Sequence, residues 1–485
     1  MINGVFWTAI QKYSGLVIQI IVTAILARLL NPEDFGVIAV STVLIAFFNL
    51  FTDMGIGPAI IQRQDLTKDD LNSIFSFTIW GGFILAILFL LSAYPISIFY
   101  KEDLLILICQ ILSINLLFAA WNIVPNALIN KNKRFKFIAK RTLMLQIISG
   151  IISVISAFNG LGIYSLLVSP ILTAIGVFIL NYKEYPLQFQ WHFHVDALKK
   201  IFSYSSFQFL FNFINYFSRN LDKLIIGRYF SMNELGYYEK SYRLMMLPLQ
   251  YVTNVITPVM HPILASLQND YKSLTDKYNS IMKLLATISF PLGTFFYFAA
   301  NDFIYIVYGE RWENAIPVFQ ILALSLPLQM ILSTVGAIYQ AAGKTNWLFY
   351  GGISNTCFTV LGFIIASVYF RTIEAMAWAW SITLFLNTVI SYFLLYKIIL
   401  KSSIRKIILL IYPSIISILI ISIILYLMYD IFSQQNHFIA LTIKFMICFV
   451  ITILNIQLMH QYNMLSVVKV AMLSIYNRFR INVKK

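Results

Sequence analysis

Nine charged residues stand inside runs of sequence that are otherwise apolar, and they are the residues whose types and spacing could do chemistry: Lys12, Arg219, Lys223, Lys240, Arg243 and Lys444 among the bases, Asp53, Asp222 and Glu239 among the acids. In Phe217-Ser-Arg-Asn-Leu-Asp-Lys223, Arg219 and Lys223 are four apart on one helical face, with Asp222 three from Arg219. In Tyr237-Tyr-Glu-Lys-Ser-Tyr-Arg243, Lys240 and Arg243 share a face, and Glu239 stands four before Arg243. Setting Lys444 aside, five bases face three acids, an excess of two, or of three if Asp53 is protonated. A cavity lined by Lys12, Arg219, Lys223, Lys240 and Arg243 would be cationic and would suit an anionic substrate. The planar fork of arginine suits phosphate oxygens in particular.

Two structural readings stand beside this one. Arg219/Asp222 and Glu239/Arg243 would serve as ion pairs, and Lys12, Lys223 and Lys240 would lay their stems along apolar surface and snorkel to water. Asp53, in Phe51-Thr-Asp-Met-Gly-Ile-Gly57, suits either a coupling proton or a cap or loop gate; Asp222 and Glu239 are the other candidates for ion coupling or gating. Lys444 lies on a late helix and reads as snorkelling or as packing between helices. Tyr204, Phe207, Phe211, Tyr216, Tyr237, Tyr238 and Tyr242 accompany the cations; aromatic faces suit sugar rings, and belt packing is the alternative.

Little else offers chemistry. Cys109, Cys357 and Cys448 all lie in apolar runs without a CxxC pair, and the five histidines are scattered. No disulfide framework, metal site, cofactor or catalytic residue is expected. The one paired acid near the N-terminus, Glu33-Asp34, has Asn233-Glu234 as its counterpart 200 positions later, which argues for a helix-cap turn.

The elements that must hold the charges follow from composition. Of 485 residues, 59% are hydrophobic and only 11% charged, where soluble domains carry about 25%; mean hydropathy is +0.78. A large soluble enzyme is excluded. At about 20 residues per crossing, the chain divides at its polar clusters into fourteen apolar segments: 4–29, 35–60, 73–98, 104–129, 142–158, 163–182, 201–229, 236–266, 281–300, 315–341, 347–370, 375–396, 407–429 and 438–460. The expected class is therefore an all-α integral membrane protein. The net charge of +15 is distributed by side: connections after even-numbered segments, with the tail, hold 24 Lys and Arg, against Arg28, Lys101, Arg228, Arg311 and Arg371 on the other side. That bias places both termini in the cytoplasm and requires an even number of spans.

The second half echoes the first. Arg28-Leu-Leu-Asn-Pro-Glu-Asp-Phe-Gly36 aligns with Arg228-Tyr-Phe-Ser-Met-Asn-Glu-Leu-Gly236, and Pro58 with Pro258. Gln110-Ile-Leu112 aligns with Gln320-Ile-Leu322, and Ala127-Leu-Ile-Asn130 with Ala337-Ile-Tyr-Gln340. Two parallel six-helix lobes result, with two helices beyond them. The expected division is an N-terminal lobe at 1–182, a cytoplasmic linker at 183–200, a C-terminal lobe at 201–400, two helices at 401–460 and a basic tail at 461–485. Transporters with two such lobes bind substrate between them and rock. Lys12 and, in the second lobe, Arg219 would line that interface from the first helix of each.

Three stretches carry a resemblance: Ala27-Arg-Leu-Leu-Asn-Pro-Glu-Asp-Phe-Gly36, Asp53-Met-Gly-Ile-Gly-Pro-Ala-Ile-Ile-Gln-Arg63 and Tyr308-Gly-Glu-Arg-Trp-Glu-Asn-Ala-Ile-Pro-Val-Phe-Gln-Ile-Leu322. With the length and two-lobe layout, the chain resembles the polysaccharide transporters of the multidrug/oligosaccharidyl-lipid/polysaccharide exporter superfamily, of the colanic-acid exporter and O-antigen flippase type. The resemblance implies a flippase that moves an undecaprenyl-diphosphate-linked oligosaccharide across a bacterial inner membrane for O-antigen, capsule or exopolysaccharide synthesis. It implies an anionic lipid-linked substrate, with glycan polymerase machinery as a further partner and no nucleic acid. The family's cationic cavity maps onto Lys12, Arg219, Lys223, Lys240 and Arg243; segment 1 departs from the family in having Lys12 and no arginine of its own at middle depth. A cation-coupled small-molecule exporter of the same fold is the alternative, which should show more buried acid than base. A membrane glycosyltransferase or polymerase would need acids or bases on sizeable outer loops, and most outer loops span only a few residues.

Overall fold

The computed structural model describes residues 2–191, 194–268 and 270–459; the basic tail at 461–485 lies outside the described residues. Those residues form helices and turns, with no strand among them. The helices are α1 (Ile2–Leu29), α2 (Pro32–Asp53), α3 (Ile56–Gln62), α4 (Lys68–Tyr100), α5 (Leu104–Trp121), α6 (Ile123–Lys131), α7 (Phe135–Phe158), α8 (Ser165–Glu184), α9 (Val195–Tyr229) and α10 (Met232–Ala265). They continue as α11 (Tyr271–Phe298), α12 (Ala300–Val307), α13 (Ala315–Leu332), α14 (Val335–Ala341), α15 (Thr345–Ile365), α16 (Ile373–Leu394), α17 (Arg405–Leu427), α18 (Tyr429–Ser433) and α19 (His437–Leu458).

Among the described residues, twelve helices are long and apolar enough to cross a membrane. They coincide with twelve of the fourteen apolar segments. The remaining two segments are α9 and α10, of 35 and 34 residues, which carry most of the charged residues singled out above. Three expected segments are broken inside: α2 gives way to α3 at Met54 and Gly55, both with positive φ (40° and 75°); α5 gives way to α6 at Asn122, and α13 to α14 at Ser333 and Thr334. The last two breaks fall at equivalent points of the repeat.

The starts of α2 and α10 are alike in chemistry too. The Asn31 backbone N–H donates to the Asp34 carboxylate at 2.9 Å, and the Ser231 N–H and hydroxyl donate to the Glu234 carboxylate at 2.9 and 2.8 Å. An acid in the first turn satisfies donors that a helix start leaves orphaned. These are the helix-cap turns that the Glu33-Asp34 and Asn233-Glu234 pattern implied. The two turns also touch each other reciprocally. A Cβ on Gly36 would lie 1.8 Å from the Met232 carbonyl oxygen, and one on Gly236 would lie 2.0 Å from the Pro32 carbonyl oxygen. Only glycine permits backbones this close.

Packing divides the chain into two compact units. Of the described residues, one holds those up to Glu239 with Val307–Trp312 and Arg371–Ile373; the other holds Lys240–Ile306, Glu313–Phe370 and those from Glu374 to 459. In the first, α2 and α9 interlock through aromatic rings: Phe47 meets Tyr216 at 5.5 Å and Phe51 meets Phe209 at 5.3 Å. Tyr216 donates its hydroxyl to the Val43 carbonyl at 2.8 Å. Trp312, fully buried, belongs to this unit; its indole N–H donates to the Ala27 carbonyl at 2.9 Å and its ring lies edge-on to Phe35 at 5.3 Å. The segment after α8 is extended and stitched along α4: the Gln188 N–H donates to Asn72 Oδ1 at 3.0 Å and the Gln190 N–H to Ser76 Oγ at 2.8 Å. Buried backbone groups need such partners where no helix supplies them.

In the second unit, Tyr278, Tyr392 and Tyr396 anchor a core of α11, α14 and α16, with Tyr278 bonded to Thr334 and Tyr392 at 3.2 Å each. The helices beyond the repeat, α17 and α19, pack on α11 through Phe295, Ile421, Leu425 and Cys448. There Lys444 does not snorkel. It is buried and donates to Asp302 Oδ2 at 2.6 Å and to the Phe298 carbonyl at 3.1 Å, while His437 Nδ1 meets Asp302 Oδ1 at 2.9 Å. Asp302, read from sequence as part of an outer loop, sits buried in α12.

Candidate functional site

The nine charged residues separate into distinct environments. Lys12 on α1 and Arg219 on α9 are exposed, as is Arg243 on α10; Lys240 is buried. Asp222, Lys223 and Glu239 come together with Tyr238 across the turn at Phe230 and Ser231, between the end of α9 and the start of α10. Asp222 is almost fully buried and accepts the Tyr238 hydroxyl on Oδ2 at 3.0 Å and the Lys223 backbone N–H on Oδ1 at 2.8 Å. Lys223 and Glu239 form an ion pair at 2.7 Å, their side chains 14% and 18% exposed. Such a pair, mostly withdrawn from water, is held by geometry that two helices must share. Glu239 thus meets a base on the neighbouring helix, where spacing alone pointed to Arg243 on its own.

The aromatic companions act as packing groups. Tyr216 sits on Phe47, Tyr237 lies edge-on to Trp312 at 6.0 Å, and Tyr242 lies edge-on to Trp380 at 5.6 Å. The side chains of Tyr204, Phe207 and Phe211 lie outside the described residues.

Asp53 stands apart, at the C-terminal end of α2, with Oδ1 at 3.4 Å from the Gly57 N–H. It lines a cavity of about 390 Å³ together with Asn49, Thr52, Asn122, Asn126 and Asn130. Behind that cavity lies a cation that sequence reasoning missed. Arg141, grouped by sequence with the loop bases around it, is buried within α7 and donates to the Oδ1 of the fully buried Asn181. A base seven residues inside a helix that also buries Ser149 and Ser153 was the available signal, hidden by its neighbours Lys136 and Lys140. Among the described residues no cluster of His, Cys, Asp and Glu could hold a metal ion.

The described residues thus hold a buried ion pair between Lys223 and Glu239 and a separate cavity lined by Asp53 and amide side chains. Comparison with known proteins shows the family and the fold. A family model for polysaccharide biosynthesis proteins matches residues 25–317. The teichuronic acid biosynthesis protein TuaB of Bacillus subtilis is 26% identical over 81% of this chain and 82% of its own length. The lipopolysaccharide biosynthesis protein WzxC of Escherichia coli is 26% identical over 84% of this chain and 83% of its own. Among solved structures, the lipid II flippase MurJ in an inward closed conformation superposes with a TM-score of 0.75 at 16% identity, covering 94% of this chain and 99% of that one. A multidrug resistance MATE family transporter superposes with a TM-score of 0.62 at 14% identity, covering 78% and 93%. Both structural likenesses show the fold, and the match of the family model over more than half of the sequence shows the kinship: the chain belongs to the polysaccharide biosynthesis protein family.

Proposed function

We propose that this protein is a transporter, and not an enzyme, that flips an undecaprenyl-diphosphate-linked glycan repeat unit across a bacterial inner membrane for O-antigen, capsule or exopolysaccharide synthesis. The observation that carries this reading is the charge built into α9 and α10, bases in excess of acids, on a fold shared with a lipid II flippase. A lipid diphosphate with its glycan is too polar to cross unaided. Lys12, Arg219, Lys223, Lys240 and Arg243 would take over the hydration of its phosphates while the polyisoprenyl tail stays in lipid. Relatives named for teichuronic acid and lipopolysaccharide biosynthesis support the substrate class. A cation-coupled exporter of the MATE kind would call for acids to outnumber bases there.

On this reading α9 and α10 also cross the bilayer, which brings the count to fourteen. At 1.5 Å per residue each is about 50 Å long, well over the ~30 Å of hydrocarbon. Both termini then face the cytoplasm, and the two lobes alternate access. An inside-negative potential would favour export of an anion by about 2.3 kcal/mol per charge per 100 mV. The test is complementation of a flippase-deficient strain: Arg219→Ala should abolish glycan output while the protein still inserts in the membrane, and normal output from that variant would defeat the assignment.

A further inference from the structure

The asparagines beside Asp53 take no part in the charged cluster. Asn122, Asn126 and Asn130 recur every four residues on one face at the start of and along α6. With Asn49, Thr52 and Asp53 from the end of α2 they line the cavity of about 390 Å³, a size within the ~300–1,000 Å³ of small-molecule sites.

The layer behind fixes which way these amides point. Arginine can only donate hydrogen bonds. Arg141 therefore requires oxygen from Asn181, which turns the Asn181 amide nitrogen to Asn122 Oδ1 at 2.7 Å and Asn126 Oδ1 at 3.5 Å. Those two residues turn their oxygens toward Asn181, most firmly at Asn122, which directs their N–H groups to the cavity that they line. Asp53 supplies a carboxylate to the same space. The cavity thus offers amide donors on one wall and a carboxylate acceptor on another. A cation would be met by the N–H groups of Asn122 and Asn126, whereas a sugar hydroxyl both donates and accepts and can use these together with the Asn130 amide, whose nitrogen donates to the Asn126 backbone carbonyl at 2.8 Å, and the Asp53 carboxylate.

The row is also absent from the second repeat. At the repeat spacing, Asn122, Asn126 and Asn130 correspond to Leu332, Gly336 and Gln340, and Asp53 to Thr253. Since α13 breaks to α14 without asparagines, the break in the first repeat does not need them, and their presence calls for another reason.

We propose that this cavity is a sugar-binding site, which takes one hydroxyl-rich pyranose of the lipid-linked glycan. The assignment rests on the flippase reading and deepens it. On the orientation inferred from charge, the cavity lies at the cytoplasmic ends of its helices, where the substrate would first be met.

The experiment uses the full chain in lipid nanodiscs with two kinds of probe: a panel of methyl glycosides (glucoside, galactoside, mannoside, N-acetylglucosaminide and glucuronide), and farnesyl diphosphate as a mimic of the lipid diphosphate. Asn49→Leu and Asn130→Leu come from different helices, whereas the hydrogen bonds of Asn181 go to Arg141, Asn122 and Asn126. At least one glycoside should bind the wild type saturably, and both variants should weaken it about ten-fold, the loss of one or two hydrogen bonds, with farnesyl diphosphate affinity unchanged. Retained farnesyl diphosphate binding certifies the fold of each variant. If no glycoside binds the wild type, or if both variants bind it within two-fold of wild type, the sugar site is overturned while the flippase reading stands. If the wild type fails to bind farnesyl diphosphate, the flippase reading itself falls.

Discussion

Gly36→Ala should force apart the first turns of α2 and α10, which meet through Gly36 and Gly236. The added methyl group would lie 1.8 Å from the Met232 carbonyl oxygen, where carbon and oxygen settle at about 3.3–3.6 Å. An opening of about 1.5 Å is therefore required. Neither partner can swing aside, because the obstruction is backbone in the first turn of a helix. Overpacking of this kind costs about 1–3 kcal/mol. Gly236→Ala meets the Pro32 carbonyl at 2.0 Å and needs nearly the same opening. Since one displacement relieves both clashes, the double variant should be less destabilised than the sum of the singles, by a coupling of ~0.5–3 kcal/mol. The assay is thermal unfolding of the purified protein in detergent. Gly81→Ala and Gly352→Ala are the controls: both lie in helices with nothing within 4 Å of an added Cβ, and alanine there should raise stability by roughly 0.5–1 kcal/mol. If Gly36→Ala melts with those controls, at or above the wild type, the reciprocal contact is wrong. Additive singles would show that the two glycines do not share one interface.

Two further expectations concern single groups. Lys444→Met leaves the buried Asp302 carboxylate with His437 as its remaining side-chain partner, so the cost should fall below the ~3–5 kcal/mol of a fully stranded buried charge, and adding Asp302→Asn should recover much of it; melting temperatures that are equal for single and double variants would refute the pairing. Asp270 caps α11, accepting from the Ser273 hydroxyl at 2.6 Å and the Ser273 N–H at 3.0 Å, and these bonds hold its carboxyl below the usual carboxylate range. Its contribution is then present above the unfolded value of about 3.9 and lost as pH falls through the folded one. The melting-temperature gap between wild type and Asp270→Ala should be open at pH 7 and close in strong acid; a gap independent of pH would contradict it.

The apolar runs located the long helices closely, since hydrocarbon thickness sets their length. They could not show where α2 ends and α3 begins, because Ile56, Ala59 and Ile60 are as apolar as what precedes them and the turn is made by backbone at Met54 and Gly55. Pairings between helices were the main loss. Spacing along one helix exposes Glu239 to Arg243, while the real partner, Lys223, lies sixteen positions back across a turn. Lys444 and Asp302 are 142 positions apart, with Asp302 in a polar stretch that reads as loop. Arg141 looked like one of several cytoplasmic bases, and only the burial of Asn181 against it reveals its role. Where an interaction was local, as in the Asn31–Asp34 and Ser231–Glu234 caps, spacing was enough.

The stretch that follows α8 has a bearing on how this protein can be recombined with its relatives. Gln188 and Gln190 are two residues apart, while Asn72 and Ser76 are one helical turn apart, so an extended ruler is read against a coiled one. Loops usually absorb insertions. Here one extra residue before Gln188 would present the wrong face to α4, and two would overshoot by about 7 Å. Chimaeras that exchange halves between family members should therefore inherit residues 72–76 and 188–190 from the same parent, with the crossover placed after Trp191.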